Sequence, residues 1–332
     1  MIDIGAKQTD ERLADLESRL YDLYKEQEQT MRMKAASYFG QFEKRDRDML
    51  KAVKDSKVTE EYYKQWRITQ IGRGQRFMVL AEDFAQKMLE ANETAARWTN
   101  EEVPRIYMIN HNTEAYQIEQ IYGNVGLNLL DENTVRRLVT EQPDLLPRRK
   151  IDAELDKDWN TRQFEKEVLS GIMQGENLKQ ITDRVAPYVD GNRSCAVGAA
   201  RTAFTNAQNG GRQAAYEESA KLGIDVHKYW DATKDGNTRE AHRLADGQVV
   251  RYDKPFIVGG YKMMFPGDST APGELVWRCR CTMRTQEKKG IEVEPRMMRV
   301  KDPTTGAWVV INKMTYTEWM EWKAHERENK DH

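Results

Sequence analysis

Cysteine is scarce, with 3 in 332 residues, and two of them, Cys279 and Cys281, stand one residue apart. That number and spacing exclude the disulfide framework of small secreted domains, and a reducing cytoplasm is the expected place of synthesis. Proline is sparse too, at 9 residues, and none precedes Pro104. From Thr9 to about Asn92 only Gly40 and Gly72-Arg73-Gly74 interrupt the pattern, so long helices are expected there. No run of about 18 apolar residues occurs, and residues 1–25 carry a charge every few positions, so neither a membrane span nor a secretory signal is expected. A surplus of one charge is also missing. Lys and Arg total 52 against 54 Asp and Glu, a net of -2, which rules out a global positive field that holds duplex DNA by counterion release. Any DNA contact is expected to be weak and local.

What is present is charge and helical periodicity. Charged residues reach 32%, hydrophobic ones 39%, and the mean hydropathy is -0.84, values that suit long solvated helices. The length predicts two domains, perhaps with a tail, at about 100–200 residues each. Leu13, Leu16, Leu20 and Leu23 make an amphipathic stripe, for which cover within the chain is favoured over a partner helix. A helix is expected to begin near Thr113 and break at Gly123, and a polar one to run from Asp131 to Glu141. Pro143 and Pro147 with Arg148, Arg149 and Lys150 read as a linker, which places a boundary near residue 150. Trp159, Phe164, Val168 and Ile172 then repeat at helical spacing until Gly175, and Leu178, Ile181 and Val185 continue on a second helix. Ser194 is the expected N-cap of a third, alanine-rich helix that ends at Leu222 before Gly223, with a kink at Asn209-Gly210-Gly211.

The character changes at Ile224, where short β-type runs alternate with Gly- and Asp-rich turns. The fold class read from this is α+β: a long-helix region over 1–150, a mixed domain with short strands over 151–285, and a hairpin plus helix over 286–332. In that last stretch Met297 to Val300 and Trp308 to Ile311 flank Pro303-Thr304-Thr305-Gly306. Thr315 and Glu318 fit a capping box, and Trp319 and Trp322 share a helix face expected to pack on the chain itself.

Chemically specific residues concentrate between Trp230 and Cys281. In order they are Trp230-Asp231, Asp235, Thr238-Arg239, His242, Asp246-Gly247-Gln248, Pro266-Gly267-Asp268 and Cys279-Arg280-Cys281. Two cysteines at i and i+2 on a strand point to one face, so their sulfurs can converge, with His242 as a third donor and Asp235, Asp246 or His227 as a fourth. Buried thiols with a structural histidine are favoured over a zinc site. Asp246-Gly247 reads as a turn between extended runs, Arg239 as the ion-pair partner of Asp235 rather than a phosphate ligand, and Trp230 as core.

This ordered series resembles the phage head morphogenesis family, the minor head proteins similar to protein F of phage Mu. The resemblance covers roughly residues 155 to 285 and includes Arg201-Thr202, at the place of an arginine-threonine-glutamate motif. Ala203 replaces the glutamate, and Arg278 replaces the asparagine that commonly precedes the cysteine pair. The resemblance implies a minor capsid protein that associates with the portal vertex during procapsid assembly and helps package or deliver DNA. Its implied partners are the portal protein, then scaffold or major capsid protein, with weak DNA contact; its implied place is the capsid interior near the portal. It implies a structural role, with Arg201, Thr202, Trp230, Asp235, Thr238, Arg239, His242, Asp246, Gly247, Cys279 and Cys281 as structural motif residues; no enzymatic activity and no cofactor are expected, zinc at His242, Cys279 and Cys281 being the less favoured alternative. The rival reading is a zinc-dependent hydrolase or nuclease centred on His242 with Asp235 or Asp246, for which no H-E-x-x-H or two-histidine pattern is present.

Overall fold

Long helices dominate, as the scarcity of proline requires. The computed structural model describes residues 3–72, 75–174, 176–286, 298–301, 308–311 and 314–328. Helix α1 spans Ile4–Lys54, α2 Glu60–Gly72 and α3 Gln75–Tyr122. Gly40 lies inside α1, which runs through it; Arg73 and Gly74 lie outside the described residues. Helix α4, Glu132–Glu141, starts where Asp131 accepts the Thr134 N–H, and α5, Ala153–Met173, starts where Asp152 accepts that of Leu155. Gly175 lies outside the described residues.

Two expected helix starts are overturned. No helix begins near Thr113, because α3 continues through Pro104, and Ser194 lies inside a helix instead of starting one, because α6 is one helix over Leu178–Lys221 that continues through Pro187. An interior proline forgoes one N–H and crowds one turn, a cost of about 3 kcal/mol that burial on both sides can offset. Val103, Ile106 and Tyr107 are buried around Pro104, as are Val185 and Val189 around Pro187. The two helices do end at the expected glycines, since Gly123 and Gly223 have φ of 88° and 84°. Gly211 serves close approach of another element, as expected of the small residues in this helix. A Cβ on Gly211 would stand 2.3 Å from the Tyr107 carbonyl oxygen of α3.

Contacts gather the chain into two compact units, neither of them one continuous stretch. The first comprises Met1–Ala14, Thr99–Arg148 and Gly198–His332; the second comprises Asp15–Trp98 and Arg149–Val197. The second is helical. Leu16, Leu20 and Tyr24 of α1 are buried in it and Leu23 is half-buried, so the chain covers its own leucine stripe. Leu80, Phe84 and Met88 of α3, Phe164, Val168 and Ile172 of α5, and Ile181, Val185 and Val189 of α6 are buried too, with Phe84 stacked on Phe164 at 5.0 Å.

The first unit carries the strands. β1 (His227–Asp231) lies between β2 (Val249–Arg251) and β5 (Thr282–Thr285), antiparallel to both, with Trp230 opposite Met283. A short helix α7, Glu240–Ala245, precedes β2. β3 (Phe256–Val258) and β4 (Tyr261–Met263) form a hairpin, and one turn of helix, α8 (Gly273–Val276), follows. The expected C-terminal hairpin is β6 (Met298–Lys301) paired with β7 (Trp308–Ile311); Met297 and the turn at 302–307 lie outside the described residues. Helix α9, Tyr316–Glu328, opens on the expected box, in which Glu318 accepts from the Thr315 N–H at 2.8 Å. α9 packs on its own chain. Trp319 is fully buried and donates its indole N–H to Glu119 of α3 at 2.7 Å, while Lys323 reaches the same carboxylate at 3.0 Å.

Candidate functional site

The middle of α6 looks unremarkable in sequence, because its polar residues are interleaved with alanine. Thr202, Thr205, Asn206, Asn209 and Arg212 recur at three- and four-residue steps, which puts them on one helix face. In the fold that face, half-buried at Thr202 and buried from Thr205 to Arg212, bonds the backbone of the segment from Pro266 to Met283. Thr202 accepts the Arg278 N–H at 2.9 Å, and Thr205 donates to the Cys279 carbonyl at 2.6 Å. Asn206 donates to the Gly267 carbonyl at 2.9 Å. Asn209 donates to the carbonyls of Pro266 at 3.0 Å and Cys281 at 3.3 Å, and its Oδ1 accepts the Met283 N–H at 2.9 Å. Arg212 donates to the Met283 carbonyl at 2.7 Å and to Asp3 at 2.6 Å. Apart from the Arg212–Asp3 pair, each bond answers a main-chain group of that segment.

Held this way, the loop brings three soft donors together. Cys279 and Cys281 do not lie on a strand as expected; they precede β5, on irregular backbone entered through Arg278 at φ 56°. Both are buried, as is His242 on α7. Nδ1 of His242 stands 3.3 Å from Sγ of Cys281 and 3.7 Å from Sγ of Cys279, and the Cys281 N–H points at Sγ of Cys279 at 3.4 Å. The three donor atoms lie within 4.8 Å of one another, the sole such His, Cys, Asp or Glu group among the described residues. The Cys279 thiol and His242 both stabilise charge on Cys281, so the Cys281 thiol is pulled down. Cys279, beside that charge and buried, is pushed well up. The imidazole meets Trp230 edge to face, with ring centroids 5.6 Å apart and planes at 89°, and its Nε2 makes no hydrogen bond among the described residues.

The proposed fourth donors are engaged elsewhere. Asp235 pairs with both guanidinium nitrogens of Arg280, accepts from Thr238 at 3.1 Å, and is held far below the usual carboxylate range, chiefly by the Arg280 bonds. The expected Arg239–Asp235 pair is therefore replaced by Arg280–Asp235, while Arg239 donates to the Trp277 carbonyl at 2.5 Å. Asp246 accepts the Ala232 N–H at 3.0 Å and pairs with Lys234 at 3.0 Å. His227 is substantially exposed, at 4.0 Å from Asp225. Gly247, at φ 74°, makes the expected turn, but it joins α7 to β2 and donates its N–H to the Trp230 carbonyl at 2.8 Å. Trp230 is fully buried, as expected of core, and stacks edgewise on Phe256. Arg201, on α6, lies near enough to Asp10 to stabilise that carboxylate's charge.

Sequence reasoning missed Thr205, Asn206, Asn209, Arg212 and Lys228. Lys228 of β1 is buried, and its ammonium donates to Gln213 and to the Met264 carbonyl, both at 2.8 Å, over the Phe256 ring. Burial pulls its pKa down to about 8. The signal available in advance was the alternation of β1, in which Lys228 shares the parity of fully buried Trp230.

Comparisons with known proteins cover the region that holds this site. The model of the family "Phage Mu protein F like protein" matches residues 162–284, a span that includes His242, both cysteines and the polar face of α6. The chain is 28% identical to "Minor head protein GP7" of Bacillus phage SPP1 over 272 residues, which are 80% of this chain and 85% of that protein. It is also 31% identical to "NAD(+)--arginine ADP-ribosyltransferase EFV" of Enterococcus faecalis (strain ATCC 700802 / V583) over 115 residues, 35% of this chain and 23% of that protein. No solved structure matches.

Proposed function

We propose that this chain, whose residues 162–284 match the Phage Mu protein F like family, is a minor head protein that joins the procapsid at the portal vertex. The observation that carries this reading is the breadth of the match to a minor head protein, which takes in most of both chains. A shared domain alone would leave the rest of the chain unread. The similarity to an ADP-ribosyltransferase supports no transferase reading, because about three-quarters of that enzyme lies outside it.

The site is consistent with a role that is structural. His242 is buried with its Nδ1 toward two sulfurs, and Asp235 and Asp246 are tied to Arg280 and Lys234. A hydrolase needs a base free to take a proton from water. Among the described residues no helix is long and apolar enough to cross a membrane. The near balance of charge limits DNA to a local, salt-sensitive contact, so help in packaging or delivery would act through protein partners.

The contact we assign to the portal is on the second unit, where Tyr62 and Ile68 of α2 and Met78 and Val79 of α3 are exposed. Co-expression of the full chain with the portal protein of the same phage, followed by size-exclusion chromatography, tests the reading. A shared peak is expected, lost in the Tyr62→Lys, Ile68→Lys protein. Separate peaks for the wild type, together with absence of the chain from purified particles by mass spectrometry, would reject it.

A further inference from the structure

We infer that His242, Cys279 and Cys281 bind one soft divalent metal ion, zinc by class, and that the ion fastens the segment before β5 to α7. The donor types fit, since thiolate sulfur and imidazole nitrogen together select zinc over magnesium or calcium, which take oxygen. The spacing fits as well. With Zn–S of about 2.3 Å and Zn–N of about 2.0 Å, a tetrahedron has N···S edges of about 3.5 Å. The two observed N···S separations, 3.3 and 3.7 Å, lie on either side of that value.

Charge and hydrogen bonding point the same way. Two thiolates with a dication make a neutral group, which is the least costly charge state for a buried cluster. The Cys281 N–H aimed at Sγ of Cys279 stabilises a thiolate there. Arg239 and Arg280 lie close enough to interact electrostatically with the sulfurs. The edge of the contact with Trp230 fixes the ring plane of His242, so Nδ1 is the nitrogen presented to the sulfurs. Three protein donors leave one place for a solvent molecule.

A metal here would close a loop of about 40 residues between α7 and the cysteines, which constrains the unfolded chain as a cross-link does. The site is independent of any portal contact, so its failure would leave the assembly reading untouched.

The test uses the full chain, purified without chelator and measured for metal by plasma mass spectrometry. One zinc per chain is expected for the wild type and for Cys195→Ser, and loss of the metal for Cys281→Ser and His242→Gln. Because those variants can also lose the fold, cobalt titration of the apo wild type supplies a second readout. A thiolate-to-cobalt charge-transfer band is expected, with a fall in melting temperature on addition of a zinc chelator. A wild-type protein that is metal-free and gives no such band would overturn the inference. So would a Cys279–Cys281 disulfide in freshly purified protein.

Discussion

The two units solve the problem of buried polarity in different ways. In the second, a ladder of side chains pairs with itself: Tyr24 donates to Asn92 at 2.5 Å, Asn92 donates to Asn192 at 2.8 Å and to Asp156 at 2.7 Å, and Asn192 donates to Asn160 at 2.9 Å. Helix backbones there are already satisfied, so the ladder selects register among helices whose apolar stripes do the burying. In the first unit the polar residues of α6 pair with backbone. Thr205, Asn206, Asn209 and Arg212 bond carbonyls and an N–H of a segment that has little regular structure. There the side chains stand in for the missing ladder. Loss of Tyr24 in the second unit leaves one side-chain acceptor without its donor, whereas loss of Asn209 in the first strands several main-chain groups in the core.

Asn209→Ala tests that difference most sharply. It strands the Met283 N–H and two carbonyls in a fully buried position, and unsatisfied buried groups cost about 1–3 kcal/mol each, so a loss of about 3 kcal/mol is expected. Hydrogen exchange followed by mass spectrometry should show residues 264–285 opening while 80–98 stays protected. Equal loss of protection in both would erase the distinction between the units.

Lys228 gives the next effect, and it depends on pH. Its folded pKa of about 8 is below the ordinary lysine value of 10.5, so between the two the unfolded chain holds more protons than the folded one. Stability contributed by this site must therefore rise as pH increases from about 8 to 10, by about 2 kcal/mol, and be absent below. Comparing wild type with Lys228→Met by urea denaturation across that window isolates the site from the tyrosines that also titrate near its upper end. A constant difference between the two proteins would mean that the ammonium is not desolvated.

Tyr24→Phe, in the second unit, should cost only about 1 kcal/mol, because a single acceptor, the Asn92 Oδ1, loses its donor while Asn92 Nδ2 keeps its bonds to Asp156 and Asn192. A loss as large as that of Asn209→Ala would show that the ladder, too, supports a structure that cannot stand without it.

The same contrast explains what could be read in advance. The leucine stripe at Leu13 to Leu23, the repeat from Phe164 to Ile172 and the capping box at Thr315 were legible because helical periodicity is local. The interior prolines Pro104 and Pro187 were not, since tolerance of a proline depends on packing elsewhere in the chain. Residue types around the cysteine pair were legible as a constellation, but their backbone was read as a strand and Asp235 was paired with the wrong arginine. Both errors have one origin. The loop's path is set by α6, and nothing in Thr202-Ala203-Phe204-Thr205-Asn206 says which carbonyls it will meet.

Arg278 carries the smallest expected effect and the clearest link between a sequence departure and geometry. It occupies the place where the family resemblance leads one to expect asparagine, and its φ of 56° is left-handed. That conformation crowds the Cβ of most residues, whereas asparagine tolerates it. Its N–H is the donor to Thr202, so the backbone there is fixed by α6 and the strain cannot be relieved by moving the loop. Arg278→Asn should therefore stabilise the protein by about 0.5 kcal/mol, less whatever the guanidinium contributes over the Trp277 ring at 5.9 Å. Arg278→Gly should do so without any side chain, and Arg278→Val should destabilise, because branching at Cβ worsens the clash. If thermal melts rank valine above asparagine, the left-handed turn into the cysteine pair is not how this loop is built.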